Sequence, residues 1–346
     1  MKILGIETSC DETAAAVVED GTHVLSNIVH SQIEIHKQYG GVVPEVAARS
    51  HIEMINPVIQ RALDEAKITW HDVNALGVTF GPGLLGSLLI GTLAARTYAL
   101  TKNIPLYPIH HVTAHVYAAL LSDTASSPAF SFPLLSLIVS GGHTQVVLFF
   151  SHEKYRILGQ TQDDAVGEAF DKVAKMLGLP YPGGPAIAHA AQKGDPYRYN
   201  LPIARMKNPY DFSFSGLKTA VLRAIQKEVG VDHTFPSFEL SERLTASQRY
   251  DFAASFQYTA IKTLLQATKK ACDEYNPRTC VLAGGVAANT LLRDELQQHL
   301  PVPVLLPALP YCTDNAAMIA GLAYYQSRHA EAIDPYKLEA VPTISM

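Results

Sequence analysis

The sequence carries little charge, few cysteines and no long apolar run, and each shortage removes a class of protein. Only 17% of its 346 residues are Asp, Glu, Lys or Arg, against about 25% in soluble proteins generally. Basic residues do not dominate: 27 Lys and Arg stand against 32 Asp and Glu, a formal charge of -5. That excludes a stand-alone, strongly basic nucleic-acid binder, though not a local basic surface or one supplied by a partner. Cysteine occurs four times, at Cys10, Cys272, Cys280 and Cys312, without a Cys-x-x-Cys pair. The spacing suits neither a disulfide framework nor a thiolate zinc site, and fits reduced thiols in the cytosol. The longest apolar stretch, Leu84 to Ala95, is about 12 residues where a membrane span needs about 20. The N-terminus reaches Glu7 too early for a signal-peptide h-region. A cytoplasmic protein is expected. There is no Gly-x-x-x-x-Gly-Lys-Ser/Thr loop, no strand-borne Gly-x-Gly-x-x-Gly, and no low-complexity segment.

What is present is apolar material, 48% of the chain, enough for sizeable cores; the length suggests two domains of roughly 150 residues. Lys2 to Glu7 reads as a strand, Thr8 to Glu12 as a polar turn, and Thr13 to Glu19 as a second strand. The unit returns about 130 residues later as Leu134–Val139, Ser140–His143 and Thr144–Phe150, which points to a duplicated α/β architecture. Apolar periodicity predicts a helix from Pro44 to Ala66, then a strand from Val73 to Thr79 and a helix from Leu84 to Ala99. Leu106–Ile109 reads as a strand leading into a helix over His111–Ser122. Further helices are expected at 160–178, 186–193, 216–229 and 247–275, and a strand at Thr279–Ala283. A helix from about Ala288 and a final one at Asn315–Ala330, packed back on the first lobe, complete the reading. The Ser-, Ala- and Pro-rich run Thr124–Pro133 marks the lobe boundary. The first lobe is therefore read as 1–125 plus about 325–346, and the second as 126–324.

Three groups of residues are candidates for chemistry. His111 and His115 in His110-His111-Val112-Thr113-Ala114-His115 are four apart, which on a helix sets their Cβ atoms about 5–6 Å apart on one face. The pair suits one metal ion, or simply two polar helix positions. Val112 stands where a metalloprotease needs its Glu, so peptidase chemistry is disfavoured. A third ligand must come from elsewhere; Asp314 sits where a loop meets a helix start, a position equally suited to an N-cap. The second group is three glycine-rich breaks, Ser140-Gly141-Gly142-His143, Pro182-Gly183-Gly184-Pro185 and Gly284-Gly285-Val286-Ala287-Ala288-Asn289. They allow close approach of a nucleotide-type ligand. The third is acidic: Asp11 and Glu12 in the first turn, and Asp171 on a helix.

Taken in order, Glu7-Thr8-Ser9-Cys10-Asp11-Glu12-Thr13, Gly81-Pro82-Gly83-Leu84, the His111/His115 pair, Val139-Ser140-Gly141-Gly142-His143-Thr144 and Gly167-Glu168-Ala169-Phe170-Asp171-Lys172 form a specific set. Tyr181-Pro182-Gly183-Gly184-Pro185, Phe212-Ser213-Phe214-Ser215-Gly216-Leu217-Lys218, Gly284 to Asn289 and Cys312-Thr313-Asp314-Asn315-Ala316 extend it. From about residue 3 to about 325 the chain resembles the tRNA N6-adenosine threonylcarbamoyltransferases, in their bacterial form, once labelled O-sialoglycoprotein endopeptidases. The resemblance implies an actin/Hsp70/sugar-kinase-like two-lobed α/β fold with duplicated domains and a central cleft. It implies transfer of the threonylcarbamoyl group of threonylcarbamoyl-AMP to the N6 amine of the adenosine next to the anticodon, in tRNAs reading codons that begin with A. It also implies a divalent ion, Fe(2+) or Zn(2+), on His111, His115 and Asp314. Ile138, Val139, Ser140, Gly141 and Gly142 resemble the loop against the substrate phosphate, Asp171 and Gly184 ribose contacts, Asn289 an adenine-side contact, and Asp11 an essential acid. Where Ala188 stands, many relatives carry an acid. Expected partners are tRNA, an inactive paralogue of the same fold and a small P-loop ATPase, with a homodimer as the alternative to the paralogue. Arg205, Lys207, Lys218 and Arg223 are candidates for the RNA surface. The competing readings are a carbohydrate- or acetate-kinase-like phosphotransferase of the same fold class and a non-catalytic nucleotide-binding scaffold.

Overall fold

The computed structural model describes residues 1–123 and 130–346. Most of the expected boundary at Thr124–Pro133 lies outside the described residues. The chain divides into two compact units, Met1–Phe130 with Pro307–Met346, and Ser131–Leu306.

The first unit opens with an antiparallel meander, β1 (Lys2–Glu7), β2 (Glu12–Glu19) and β3 (His23–Ser31), followed by α1 (Ile33–Lys37) and α2 (Pro44–Glu65). Then come β4 (Ala75–Gly81), α3 (Leu85–Lys102), β5 (Leu106–His110) and α4 (His111–Tyr117). Strand order is β3-β2-β1-β4-β5, with β4 parallel to β1 and β5 parallel to β4. The second unit repeats this plan. β6 (Leu134–Val139), β7 (Thr144–Phe149) and β8 (Tyr155–Gln160) form the meander. α5 (Val166–Met176), α6 (Gly183–Ala191), α7 (Ser215–Glu228) and α8 (Ala246–Tyr275) precede β9 (Thr279–Ala283), α9 (Thr290–His299) and β10 (Val304–Leu305). Its order, β8-β7-β6-β9-β10, has the same antiparallel and parallel pairings. The duplication expected from the two hairpins is thus a duplication of whole sheets.

Strand periodicity explains the layers of the first unit, since successive side chains point to opposite faces. Leu4 and Ile6 of β1, Ala15 and Val17 of β2, and Leu76 and Val78 of β4 join Ile55, Val58, Ile59, Ala62 and Leu63 of α2 in one buried cluster. The intervening positions on β1 and β4 are Gly5 and Gly77, which are paired in register. They admit α10 (Ala316–Ser327), a helix of small residues, almost onto the backbone. A Cβ at Gly5 would fall 2.3 Å from the carbonyl oxygen of Ala316 and one at Gly77 2.7 Å from the Cβ of Ala323. This packing returns the chain to the first unit at Pro307, earlier than the position near 325 read from the sequence.

Several local readings shift. The helix expected from 160 starts at Val166, because Gly159 and Gln160 pair with Val146 and Gln145 of β7. The helix expected through Ser122 gives way after Tyr117 to a 3-10 turn over Ala118–Leu120. No helix among the described residues is long and apolar enough to cross a membrane.

Candidate metal centre and substrate loops

The carboxyl ends of β1, β4 and β5, where ligands of parallel α/β sheets commonly bind, gather the first group of candidate residues. β5 runs directly into α4, so His111 is the first helical residue and His115 lies one turn on. Their rings sit 4.8 Å apart between centroids and nearly perpendicular, at 85°. Asp314 arrives from just before α10. It does not cap that helix: Asn315 does, its side-chain oxygen accepting from the Met318 amide at 3.0 Å. The Asn315 amide also donates to the carbonyls of Thr313, at 2.8 Å, and Tyr311, at 3.2 Å, and so holds the loop that presents Asp314.

Asp314 Oδ1 lies 3.7 Å from His111 Nε2 and 3.2 Å from His115 Nε2. Ligand atoms of all three residues fall within 4.8 Å of one another. His115 is buried, its Nδ1 has no hydrogen-bond partner, and its Nε2 meets Asp314 at 3.2 Å without hydrogen-bond geometry. Burying such a group is costly unless something binds it, so the donor set fits a cation. Two imidazoles and one carboxylate are also ligands that suit iron or zinc while leaving coordination positions open.

The surroundings supply the orientation that a ligating histidine needs. Glu7, at the end of β1 and 1% exposed, sets one carboxylate oxygen 3.0 Å from His111 Nδ1. It also accepts from the Thr79 hydroxyl at 2.6 Å and the Ser9 amide at 2.5 Å. With the Nδ1 proton held by Glu7, Nε2, which faces Asp314, is the ring nitrogen left for a cation. Burial alone would raise the Glu7 pKa, but the charge and hydrogen bond of His111 prevail and hold it below the usual carboxylate range. Burial likewise opposes charge on His111, yet Glu7 and Asp314 push its pKa up to about 9. Glu12 shows the opposite imbalance. Burial first, then the charges of Asp314 and Asp11, push it up to about 10. Glu7, Asp11, Glu12 and Asp314 crowd together against two imidazoles, a balance that a cation would correct. Sequence reasoning gave Glu7 no role; the signal for it was an acid ending an otherwise apolar strand.

The other candidates belong to the second unit. Ile138 and Val139 are fully buried in β6, so only their backbone is available to a ligand. Ser140 closes a tight turn: its amide donates to the His143 carbonyl at 2.8 Å and its hydroxyl accepts from the His143 amide at 3.0 Å. Around Gly141, Gly142 and Gly184 no atom stands within 4 Å of where a Cβ would be. Gly284 adopts φ +90°, and a Cβ there would meet the Val139 carbonyl at 2.4 Å, so glycine is required. Asp171 accepts from the Gly183 amide at 2.7 Å and so fixes the start of α6; burial raises its pKa against that bond. Asn289 caps α9 at the Leu292 amide, 3.1 Å away, and donates to Gln257 at 2.9 Å. Of the basic candidates, Lys218 is tied to Asp164 at 2.7 Å and Arg223 to Gln226 at 2.8 Å, while Arg205 and Lys207 are exposed.

Two α/β units whose five-stranded sheets share one strand order define the actin/Hsp70/sugar-kinase class of fold, and the first of them bears the His-His-Asp cluster at its strand ends. Solved structures agree on the fold. That of T.kodakarensis HypF matches with a TM-score of 0.61 at 13% identity, over 97% of this chain and 49% of that one. The (R)-2-hydroxyglutaryl-CoA dehydratase component A of Acidaminococcus fermentans matches at 0.51 and 14% identity, over 95% and 99%. Within this class the sequence is specific. The family model of tRNA N6-adenosine threonylcarbamoyltransferase matches residues 23–321. The transferase of Thermomicrobium roseum is 49% identical over 96% of this chain and 94% of its own length. That of Bacillus cereus is 48% identical over 95% and 93%. The chain belongs to the tRNA N6-adenosine threonylcarbamoyltransferase family and is a transferase acting on tRNA.

Proposed function

We propose that the chain transfers the threonylcarbamoyl group of threonylcarbamoyl-AMP to the N6 amine of the adenosine next to the anticodon, in tRNAs reading codons that begin with A. The N6 nitrogen attacks the carbamoyl carbon, the bond from that carbon to the phosphate oxygen breaks, AMP leaves with the electron pair, and the amine loses one proton. The observation that carries this reading is the convergence of His111, His115 and Asp314 around a common point, with the buried His115 ring lacking any hydrogen bond.

The exocyclic amine of adenine is a weak nucleophile, because its lone pair is delocalised, while the mixed anhydride already has a good leaving group. Positioning and stabilisation of the developing oxyanion therefore carry most of the acceleration. Bound at His111, His115 and Asp314, a divalent ion, Fe(2+) or Zn(2+), would supply Lewis-acid stabilisation of donor oxygens. Asp11 lies in the first hairpin turn, 8% exposed; its carboxylate orients the reacting groups or takes up the amine proton. The open backbone at Ser140, Gly141 and Gly142, continuing the buried Ile138 and Val139, supports contact with the substrate phosphate. Asp171 spends one oxygen on the Gly183 amide, and a carboxylate has acceptor capacity beyond that for a ribose hydroxyl. Gly184 supplies open backbone beside it and Asn289 an adenine-side amide.

The reaction belongs in the cytoplasm, with its tRNA. Leu85, Leu89 and Leu93, at four-residue spacing on α3, are 51%, 48% and 60% exposed, and Ile52 on α2 is 59% exposed. This apolar stripe supports docking of a protein partner: the inactive paralogue of the same fold, or a second copy in its absence. A small P-loop ATPase completes the assembly. The test is reconstitution with tRNA, threonine, bicarbonate, ATP, the adenylate-forming enzyme and these partners, read by nucleoside mass spectrometry. Threonylcarbamoyladenosine is the expected product; unmodified tRNA, or a phosphorylated sugar when one is supplied, would contradict the reading.

A further inference from the structure

α2 and α3 each send one buried polar side chain to the same atom of the first hairpin turn. His51, on the inner face of α2 and fully buried, sets Nε2 3.0 Å from the Cys10 carbonyl oxygen. Ser87 of α3 donates its hydroxyl to that same oxygen at 3.1 Å. A carbonyl only accepts, so His51 carries its proton on Nε2, and Nδ1 accepts from the Thr13 hydroxyl at 2.7 Å. Both ring nitrogens are satisfied by a neutral imidazole, and burial lowers the His51 pKa in the same sense. The histidine thus spans the turn, one nitrogen on Cys10 and the other on Thr13, with Asp11 and Glu12 between.

The peptide unit is planar and trans, so fixing the Cys10 carbonyl toward the helices fixes the whole Cys10–Asp11 plane. The carbonyl of Asp11 is held in turn by the Gln32 amide at 3.1 Å. With both flanking planes set, the direction of the Asp11 side chain is largely decided before any ligand arrives. Further bonds anchor the approach to the turn: the Thr8 hydroxyl donates to the Ser87 carbonyl at 2.9 Å and the Leu84 amide to the Ser9 carbonyl at 2.7 Å. His51 is the one side chain of the set that grips the turn on both sides of the two acids.

We infer that His51 is a positioning residue for threonylcarbamoyl transfer, acting through the Cys10 carbonyl to set the direction of the Asp11 carboxylate. The inference rests on the proposed reaction and on Asp11 taking part in it. The polar partners of the His51 ring are the Thr13 hydroxyl and the Cys10 carbonyl and not the three metal-type ligands, so its removal should appear in turnover and not in metal binding.

The test compares His51→Leu, His51→Gln and Ser87→Ala in the reconstituted assembly. kcat and KM for tRNA are read by mass spectrometry, Zn2+ affinity by competition with a chromophoric chelator, and folding by thermal melts. His51→Leu removes both hydrogen bonds and should lower kcat about 10–100-fold, as loss of an orienting partner commonly does, while KM and Zn2+ affinity change less than about threefold. His51→Gln keeps an amide N–H in reach of the Cys10 carbonyl and should recover at least about tenfold of that loss. If His51→Leu does not fold, the His51→Gln/Ser87→Ala pair decides. Without the Ser87 hydroxyl the carbonyl depends on the single, more flexible glutamine N–H, so the double variant should cost more in kcat than the sum of the single losses. A His51→Leu variant with wild-type kcat, a Gln variant no better than Leu, additive losses in the pair, or a change confined to KM would each overturn the inference. Wild-type protein forming threonylcarbamoyladenosine alongside any of these leaves the proposed function standing; wild-type protein forming none removes both.

Discussion

Replacing Glu7 by Gln should weaken metal binding about 10–100-fold, equivalent to about 1.4–2.7 kcal/mol. The buried carboxylate meets three donors: the Ser9 amide, the Thr79 hydroxyl and His111 Nδ1. A glutamine has one oxygen and one NH2, so it cannot accept from all three. If its oxygen stays on the Ser9 amide, the NH2 faces His111 Nδ1, which must then give up its proton to Nε2, the nitrogen turned toward Asp314. If the amide is flipped, the NH2 opposes the Ser9 N–H, and a buried unpaired donor costs about 1–3 kcal/mol. One effect works the other way. The Glu7 charge helps push His111 up to about 9, so in wild type a proton competes with the metal at neutral pH, and the variant relaxes that competition. The same charge attracts a divalent ion twice as strongly as a proton, so the net change is still a loss. Competitive Zn2+ titration of the metal-free protein at pH 8 measures it. Wild-type affinity in a folded Glu7→Gln variant would refute the argument that Glu7 orients His111.

Asn315→Ala removes the cap of α10 and two bonds that hold the Asp314 loop. It should cost about 2–4 kcal/mol in urea unfolding and weaken Zn2+ binding as well; a stability loss below about 0.5 kcal/mol would show that the loop holds itself. Gly5→Val drives a branched side chain into the α10 backbone, where even a Cβ would stand 2.3 Å from the Ala316 carbonyl. Little soluble, folded protein is expected, and a normal melting temperature would contradict the close packing. Asp164 is pushed up by burial, but its bonds to Lys218 and Lys172 prevail and hold it below the usual carboxylate range. A depressed folded pKa adds stability above the unfolded value near about 3.9, lost as pH falls through the folded value. Asp164→Asn should therefore cost about 1 kcal/mol at pH 7 and progressively less below about pH 4; a deficit that stays constant down to pH 2 would rule the ion pairs out as its cause.

Much of this molecule is legible in its sequence because its strongest patterns are local. Apolar periodicity sets α2 and α8 to within a residue, and Leu134–Val139 repeats Lys2–Glu7 closely enough to expose the duplication. His111 and His115 are legible for the same reason, being one helical turn apart. The missed elements depend on distant partners. β3, HVLSNIVHS, is partly exposed along much of its length and has no clean apolar alternation, so only its pairing with β2 makes it a strand. β8 likewise takes its register from β7. Around the centre, the sequence leaves Asp314 open between cap and ligand; Asn315 taking the cap resolves it. His51 lies in none of the motifs, and Glu7 and Thr13 only bound one, which says nothing of what they touch. Their roles arise from contacts across 104 residues, from Glu7 to His111, and 38 residues, from Thr13 to His51.

The central claim is that an ion gripped by His111, His115 and Asp314 serves threonylcarbamoyl transfer. The most direct measurement is the yield of threonylcarbamoyladenosine from one reconstituted preparation in three forms: as purified, stripped by chelator, and reloaded with Fe(2+) or Zn(2+). Loss of product on stripping and its return on reloading, with no return in His115→Ala, is the expected result. Full yield from the stripped protein would contradict the account.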